Sequence, residues 1–160
     1  GDLPKYRGRH PITAAFLNNE KKIGLTIHLI NSEIDRGYLL SKAYVKRSLN
    51  DDEDTIKKKL LKLIPKILKA SLKNFQEKKL KKISKGTYYK PFYKGIIIDD
   101  PKKFSHTYIF NAVKAQKTYG GVLIKGERFR DVDFYKKKYD IKKKSKLIIC
   151  KNGKKLFLRK

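Results

Sequence analysis

The 160-residue sequence predicts a mixed α/β fold that ends in a small β-rich portion. Strand and helix patterns alternate up to about residue 85, whereas short strand patterns separated by Gly and by runs of Lys dominate after Gly120. Hydrophobic residues make up 39% of the chain and aromatic residues 11%, which is enough to build a core. We therefore expect one portion over residues 1–85, a linker over 86–104 and a second portion over 105–160.

The first portion is predicted to open with a short helix and two strands. Pro11 stands where the first turn of a helix accepts proline, so we expect a helix over Ile12–Asn18. Strong β formers in alternation predict strands at Leu25–Ile30 and Tyr38–Arg47. The polar segment Asn31–Gly37 between them is expected to be a loop, so that the two strands can pair as a hairpin.

A long amphipathic helix is expected to begin near Asp54, inside an acidic cluster at positions 51–54. Carboxylates stabilise the positive end of the helix dipole, which is the reason for placing the start there. Pro65 interrupts the pattern and should kink the helix. A cationic amphipathic helix can lie on a membrane, but packing on a protein core is the commoner outcome. The face expected to pack on the sheet consists of Ile56, Leu60, Leu63, Ile64 and Ile67.

The second portion is predicted to contain one helix followed by short strands. The helical pattern covers Ser105–Gln116, and Gly126 separates the first two strand patterns after it. Asn152-Gly153 is a strong hairpin signal between Leu147–Cys150 and Leu156–Leu158. This arrangement predicts a compact β-rich end of the chain.

The formal net charge is +27, and residues 101–160 carry 19 basic and 4 acidic side chains, a balance of +15. Two lysine runs, at 136–138 and 142–144, contribute to it. Such a surface attracts polyanions, including nucleic acid and nucleotide phosphates. The segment Tyr88–Lys94 interleaves aromatic and basic residues and is the best candidate for a nucleic-acid-binding stretch. The alternatives are a solvated lysine-rich surface and a linker that packs its aromatic rings on the first portion.

Several classes of protein are excluded by composition. No stretch free of charged residues is longer than ten residues, so a transmembrane helix of about 20 apolar residues cannot form. A single cysteine, Cys150, excludes an internal disulfide and a cysteine-based zinc site, and we expect no metal centre. No phosphate-binding glycine loop occurs. We expect a cytoplasmic protein that is not associated with a membrane.

One segment places two titratable residues on a strand and on the loop after it. His28 lies within the first predicted strand, and Asp35 precedes Arg36-Gly37 at the end of the loop. Loops held by strands are common places for catalytic groups. The residues alone leave the alternatives open, because His28 also suits a structural hydrogen bond and Asp35 also suits a turn.

The order of several short motifs resembles the formyltransferase family that uses N10-formyltetrahydrofolate. The resemblance rests on Leu3-Pro4-Lys5-Tyr6-Arg7-Gly8, on Asn19-Glu20, on Gly24-Leu25-Thr26-Ile27-His28 and on Asp35-Arg36-Gly37. It implies that residues 1–85 are the C-terminal part of a Rossmann-like catalytic sheet. It also implies that residues 105–160 are the small C-terminal subdomain of this family.

The resemblance implies roles for individual residues. Asp35 would be catalytic, His28 would support it, and Arg7 and Arg9 would face the substrate. The loop residues expected to bind the cofactor, N10-formyltetrahydrofolate, through the backbone are Asn31, Ser32, Glu33 and Ile34. The family's other catalytic residues, an Asn and a His before Leu-Pro, have no counterpart in these residues. We therefore expect this chain alone to be inactive. The alternatives are a C-terminal part of a larger formyltransferase, a split chain that pairs with an N-terminal half, and an inactive remnant.

The acceptor implied by the resemblance is an amino group on a nucleotide-linked sugar used for surface polysaccharide. The segment from residue 105 is shorter than the C-terminal barrel of methionyl-tRNA formyltransferases, which are the alternative with tRNA as substrate. A homodimer is also compatible with the resemblance. The alternative from another class is a non-catalytic basic module that binds nucleic acid, which would explain the charge without catalysis.

Overall fold

The computed structural model describes residues 1–92, 95–135 and 145–160. It divides into two compact units, one formed by residues 1–15 and 20–91 and the other by residues 16–19 and 92–160. The lysine runs at 136–138 and 142–144 lie outside the described residues, as does the end of the Tyr88–Lys94 stretch. The mixed α/β class is confirmed.

The first unit contains five strands, two complete helices and most of a third. The elements are β1 Arg7–Gly8, α1 Pro11–Leu17, β2 Lys22–Leu29, β3 Tyr38–Lys46, α2 Glu53–Leu61, α3 Ile64–Gln76, β4 Lys81–Lys82 and β5 Tyr88–Tyr89. Strands β2, β3 and β4 form one antiparallel sheet in that order, and β1 pairs in parallel with β5. The predicted hairpin over the two long strands is therefore confirmed.

The acidic cluster starts α2 through a side-chain cap. The Asp52 carboxylate accepts a hydrogen bond from Thr55 N at 2.9 Å, and the Thr55 hydroxyl lies 2.8 Å from Asp52 N. This reciprocal pair satisfies two of the backbone N–H groups that the first turn leaves open. Proline belongs in the first turn of a helix for the same reason, and Pro65 is the second residue of α3. The expected kink is therefore a break between two helices.

The break changes the apolar face that was expected to pack on the sheet. Ile56, Leu60 and Ile67 are buried as predicted, but Leu63 is half-buried and Ile64 is 38% exposed. The expectation was wrong for Ile64 because a new helix begins at that residue and restarts the periodicity. Hydrogen bonds attach α3 to β3: Ser41 Oγ donates to Ile67 O at 3.0 Å, and Asn74 Nδ2 donates to Leu40 O at 2.7 Å.

In the described part of the second unit, two three-stranded sheets and one α-helix pack around a single core. The elements are β6 Ile97–Ile98, α4 His106–Gln116, β7 Val122–Ile124, β8 Glu127–Phe129, β9 Asp131–Phe134, β10 Ser145–Ile149 and β11 Lys155–Arg159. Strand β7 lies between β6, which is parallel to it, and β8, which is antiparallel. Strand β11 lies between β10 and β9, both antiparallel to it.

The predicted helix and the predicted terminal hairpin are both confirmed. Ser105 caps α4, since its side chain accepts a hydrogen bond from Tyr108 N at 3.1 Å. Asn152 and Gly153 have positive φ angles of 61° and 71° between β10 and β11, as the hairpin signal requires. Cys150 is buried at the end of β10, and burial raises the pKa of its thiol to about 11.

Residues 86–104, expected to be a linker, are divided between the units. Gly86–Pro91 belongs to the first unit, and the segment from Phe92 belongs to the second. Ile96 and Ile98 are buried in the core of the second unit, and β6 supplies a strand to its sheet. Their apolar side chains explain this placement, because a solvated linker would leave them in water.

Within residues 1–92, 95–135 and 145–160, none of the helices has the length and apolar character needed to cross a bilayer. The same part of the chain holds no cluster of three or more His, Cys, Asp or Glu side chains suited to a metal ion.

The core of the second unit depends on Leu156, which is fully buried on β11. We expect Leu156→Ala to lower the free energy of unfolding by about 2–5 kcal/mol, because truncation leaves a cavity in a packed core. Leu147→Ala is the matched control, since Leu147 lies on the neighbouring strand β10 and is 46% exposed. Urea denaturation followed by circular dichroism measures both. Equal losses for the two variants would contradict the assigned core.

Candidate active site

The candidate site forms where the Asp35 loop meets β1. Gly8 N donates a hydrogen bond to Asp35 Oδ2 at 2.8 Å, and Arg7 Nη2 donates to Ile34 O at 2.8 Å. Consecutive residues of β1 therefore hold consecutive residues of the loop. The two bonds link segments that are 27 residues apart in sequence, so they fix the position of the carboxylate relative to the rest of the unit.

Gly8 is required by the backbone at this point. Its φ is +107°, and a Cβ would lie 2.5 Å from Tyr89 O of the paired strand β5. A side chain would push β1 away from β5 and move the Gly8 N–H out of hydrogen-bond distance of the Asp35 carboxylate. The Arg7-Gly8 pair thus has a local role: Gly8 permits the close strand pairing, and Arg7 reaches the loop.

His28 lies close to Asp35 but not within hydrogen-bond distance of it. His28 Nε2 is 3.8 Å from Asp35 Oδ1, and Nδ1 is 3.0 Å from Leu29 O. A proton on Nδ1 would be donated to that carbonyl, which leaves Nε2 facing the carboxylate. The pairing register of β2 and β3 shifts between Ile27 and His28. Such irregularities redirect side chains, so this one accounts for the position of His28 at the loop.

The loop expected to bind the cofactor is largely exposed. Asn31 Oδ1 accepts a hydrogen bond from Glu33 N at 3.2 Å, and Glu33 pairs with Arg36 at 2.7 Å. Two apolar side chains of the loop face solvent, Ile30 at 90% and Ile34 at 66% exposure. The loop therefore offers its backbone and an apolar surface, whereas the charged side chains of Glu33 and Arg36 pair with each other.

Other residues of the N-terminal motif hold β1 in place. Tyr6 Oη donates to Glu20 Oε1 at 2.7 Å, and the Tyr6 ring stacks on Tyr89 with centroids 5.3 Å apart. Lys5 also hydrogen-bonds Glu20, and the bonds from Lys5 and Tyr6 keep the pKa of that carboxyl below its usual value. The motif is thus partly structural, because it anchors the strand that carries Arg7 and Gly8.

The structure brings together four of the residues expected at the site: Arg7, His28, Ile34 and Asp35. Arg9 is exposed two residues beyond Arg7. Sequence reasoning did not identify the Gly8 N–H as a partner of Asp35. The signal was the glycine after Arg7, since a residue that must adopt a positive φ often marks a close approach of two backbones.

Residues 3–72 match the family model described as Formyl transferase. A methionyl-tRNA formyltransferase from Caldanaerobacter subterraneus subsp. tengcongensis is 40% identical over 78 residues, covering 49% of this chain and 25% of that protein. Another from Caldicellulosiruptor saccharolyticus is 33% identical over 124 residues, covering 75% and 39%. The chain therefore spans well under half the length of these curated relatives.

Solved structures match over nearly the whole chain. WlaRD, a sugar 3N-formyl transferase in the presence of dTDP and 5-N-formyl-THF, has a TM-score of 0.73 at 20% identity, covering 98% of this chain and 61% of that one. An N-formyltransferase from Helicobacter canadensis with folinic acid and dTDP-3-aminofucose has a TM-score of 0.74 at 19% identity, covering 98% and 62%. The chain is therefore similar to the formyltransferases in sequence over residues 3–72 and in fold over nearly its entire length.

Proposed function

We propose that this chain supplies the Asp35 loop of an enzyme that transfers a formyl group from N10-formyltetrahydrofolate to an amino group. The observation that carries the proposal is the position of Asp35. Its carboxylate is fixed by Gly8 N at 2.8 Å and faces His28 at 3.8 Å, within the segment that matches the formyl transferase family. The relatives of known structure that carry reduced folates support the choice of formyl donor.

Asp35 has the chemistry that formyl transfer to an amine needs. Formyl transfer would form a bond from the amine nitrogen to the formyl carbon and break the bond from that carbon to N10 of the folate. The amine loses one proton and the leaving N10 gains one, and a positioned carboxylate can accept or relay that proton. Oδ2 is occupied by the Gly8 N–H, which leaves Oδ1 oriented toward His28. In this arrangement Asp35 accepts the proton or balances a protonated imidazole, and Gly8 keeps the carboxylate in one orientation.

The residues around Asp35 suit a reduced folate. N10-formyltetrahydrofolate supplies the formyl group when it is bound. Glu33 N and Ile34 O already form hydrogen bonds within the chain, so the other backbone groups of Asn31–Ile34 would bind a planar pterin, and the exposed side chains of Ile30 and Ile34 offer apolar contact. Arg7 Nε is buried and has no hydrogen-bond partner among the described residues. Buried N–H groups normally donate a hydrogen bond, and this one does not. A polar ligand beside β1 would satisfy it.

The proposed acceptor is an amino sugar linked to a nucleotide. Two solved structures with the same fold support this choice, one in the presence of dTDP and the other with dTDP-3-aminofucose. Each of them matches 98% of this chain. A second candidate is methionyl-tRNA. Two observations support it. The sequence relatives are methionyl-tRNA formyltransferases, and the net charge of +15 over residues 101–160 favours a polyanionic partner.

Formyl transfer by the complete polypeptide that contains this chain tests both acceptors. We expect N10-formyltetrahydrofolate to formylate a dTDP-linked 3-amino sugar with kcat/KM of about 10⁴ M⁻¹s⁻¹ or more. Methionyl-tRNA should react at least about 100-fold less efficiently, a difference typical of a site that hydrogen-bonds its own substrate. The opposite ratio would assign the tRNA acceptor. Transfer to neither acceptor would refute the proposed formyl transfer.

A further inference from the structure

The second unit contains a cavity, whereas the Asp35 loop lies in the first unit. The volume of the cavity is about 420 Å³, within the range of small-molecule sites. We call it the α4 cavity, because His106, the first residue of α4, forms part of its wall. The residues that line it are His106, Phe134, Tyr135, Gly153, Lys154 and Lys155.

One side of the α4 cavity is built from aromatic rings that are held by their neighbours. Phe134 stacks on Phe110 with centroids 4.3 Å apart and an interplanar angle of 11°. His106 meets Phe134 edge-on at 5.6 Å. Tyr135 is tilted against Phe157 at 5.4 Å and remains 40% exposed. These rings are therefore positioned before any ligand arrives, which lowers the entropic cost of binding a planar group.

The remaining lining residues are Gly153 and Lys154, in the loop between β10 and β11, and Lys155, the first residue of β11; hydrogen bonds also hold this part of the wall in place. Cys150 N donates to Lys154 O at 2.6 Å, and Lys151 N donates to Phe104 O at 2.9 Å. Tyr135 N donates to Lys155 O at 3.3 Å. A Cβ on Gly153 would meet nothing within 4 Å, so the space beside this residue is open.

The charge of the cavity is positive. Lys155 Nζ lies 5.3 Å from the centroid of Tyr135, and within the described ranges neither Lys154 nor Lys155 forms an ion pair. Carboxylates elsewhere in the unit pair with other bases: Glu127 with Lys146, and Asp131 and Asp133 with Arg159. The N-terminal end of α4 adds the positive end of a helix dipole beside His106.

We propose that the α4 cavity binds a nucleoside phosphate. The base would stack against the aromatic side formed by Phe134 and Tyr135, because every base has a π face that stacks on such rings. The phosphate would meet the ammonium groups of Lys154 and Lys155. An inorganic anion would leave the rings unused, and a neutral aromatic ligand would leave the two ammonium groups without an anionic partner. Only a ligand with both parts uses the whole cavity.

Isothermal titration calorimetry with adenosine 5′-monophosphate, adenosine and inorganic phosphate tests the proposal on the 160-residue chain. We expect a dissociation constant below about 1 mM for the nucleotide. Adenosine and phosphate should each bind at least about tenfold more weakly, since each uses half of the site. A nucleotide that binds no tighter than phosphate would overturn the proposal. Binding of a pentanucleotide without binding of the mononucleotide would also overturn it, in favour of an extended nucleic-acid surface.

Variants separate this cavity from other anion-binding surfaces. Tyr135→Leu should weaken nucleotide binding at least about fivefold, the lower limit of base–aromatic stacking. Tyr119→Leu is the matched control, because Tyr119 is 46% exposed in the same unit and does not line the cavity. Lys154→Gln should weaken binding and Lys125→Gln should not. If each variant and its control lose the same nucleotide affinity, the site is refuted. The site is also refuted if Arg7→Gln abolishes nucleotide binding while Tyr135→Leu leaves it intact.

Discussion

Asp35→Asn, introduced into the complete polypeptide that contains this chain, is expected to lower the rate of formyl transfer by about 10² or more. Positioned acid–base groups contribute about 10²–10⁴-fold, and the substitution removes the charge that would accept the proton. The dissociation constant of the folate should change much less, because the proposed contacts to the pterin come from the backbone of Asn31–Ile34. Steady-state kinetics and a separate folate titration measure the two effects.

Asparagine is a suitable test residue because it should preserve the local structure. Asp35 has a φ of +55°, a left-handed conformation that Asn also tolerates. The amide oxygen of Asn can still accept the hydrogen bond from Gly8 N. Asp54→Asn is the control, since Asp54 is a half-exposed carboxylate on α2 that pairs with Lys58. If the Asp35→Asn enzyme keeps turnover within about threefold of the unsubstituted enzyme, Asp35 is a turn residue and not an acid–base group.

The features that could be predicted from sequence have local causes. Alternating β formers located β2 and β3, Ser105 located the start of α4, and Asn152-Gly153 located the last hairpin. In each case the determining residues lie within a few positions of the element that they specify. The proximity of His28 and Asp35 could be anticipated for the same reason, because one short loop connects them.

The features that could not be predicted depend on contacts between distant segments. Strands β4 and β5 have two residues each, and they exist only because β3 and β1 lie beside them. Lys81–Lys82 consists of two lysines and has no strand pattern of its own. The Gly8 N–H that holds Asp35 also comes from across the unit. The register shift at His28 is likewise a property of two paired strands and cannot be seen in one of them.

Gly37 is the second position where we expect a large effect, because backbone surrounds it on two sides. A Cβ at Gly37 would lie 1.7 Å from Leu29 O and 2.7 Å from Leu29 C. The carbonyl of Gly37 accepts a hydrogen bond from Ile83 N at 3.0 Å, which restrains it from the other side. Neither neighbour is a flexible side chain that could rotate away. This close approach is a physical reason for the glycine in Asp35-Arg36-Gly37.

Gly37→Ala is therefore expected to open the end of the β2–β3 hairpin, at a cost of about 3 kcal/mol or more in the free energy of unfolding. Hydrogen exchange of the amides in β2 and β3 measures this directly, and protection there should fall by at least about 100-fold, the equivalent of that energy. Gly126→Ala is the control. Gly126 has a positive φ but open space around it, so its variant carries only conformational strain and should leave β2 and β3 protected.

The same substitution also tests whether the loop geometry matters for the reaction. Leu29 O and Gly37 close the loop that carries Asp35, so separating them should move the carboxylate away from Gly8 N. We expect Gly37→Ala to lower formyl transfer even at temperatures where the protein stays folded, since small misplacements of a catalytic group can cost about 10²-fold. Unchanged exchange in β2 and β3 would show that the Leu29 carbonyl moves aside. Lost protection with normal turnover would show that the reaction does not require the position of Asp35 described here.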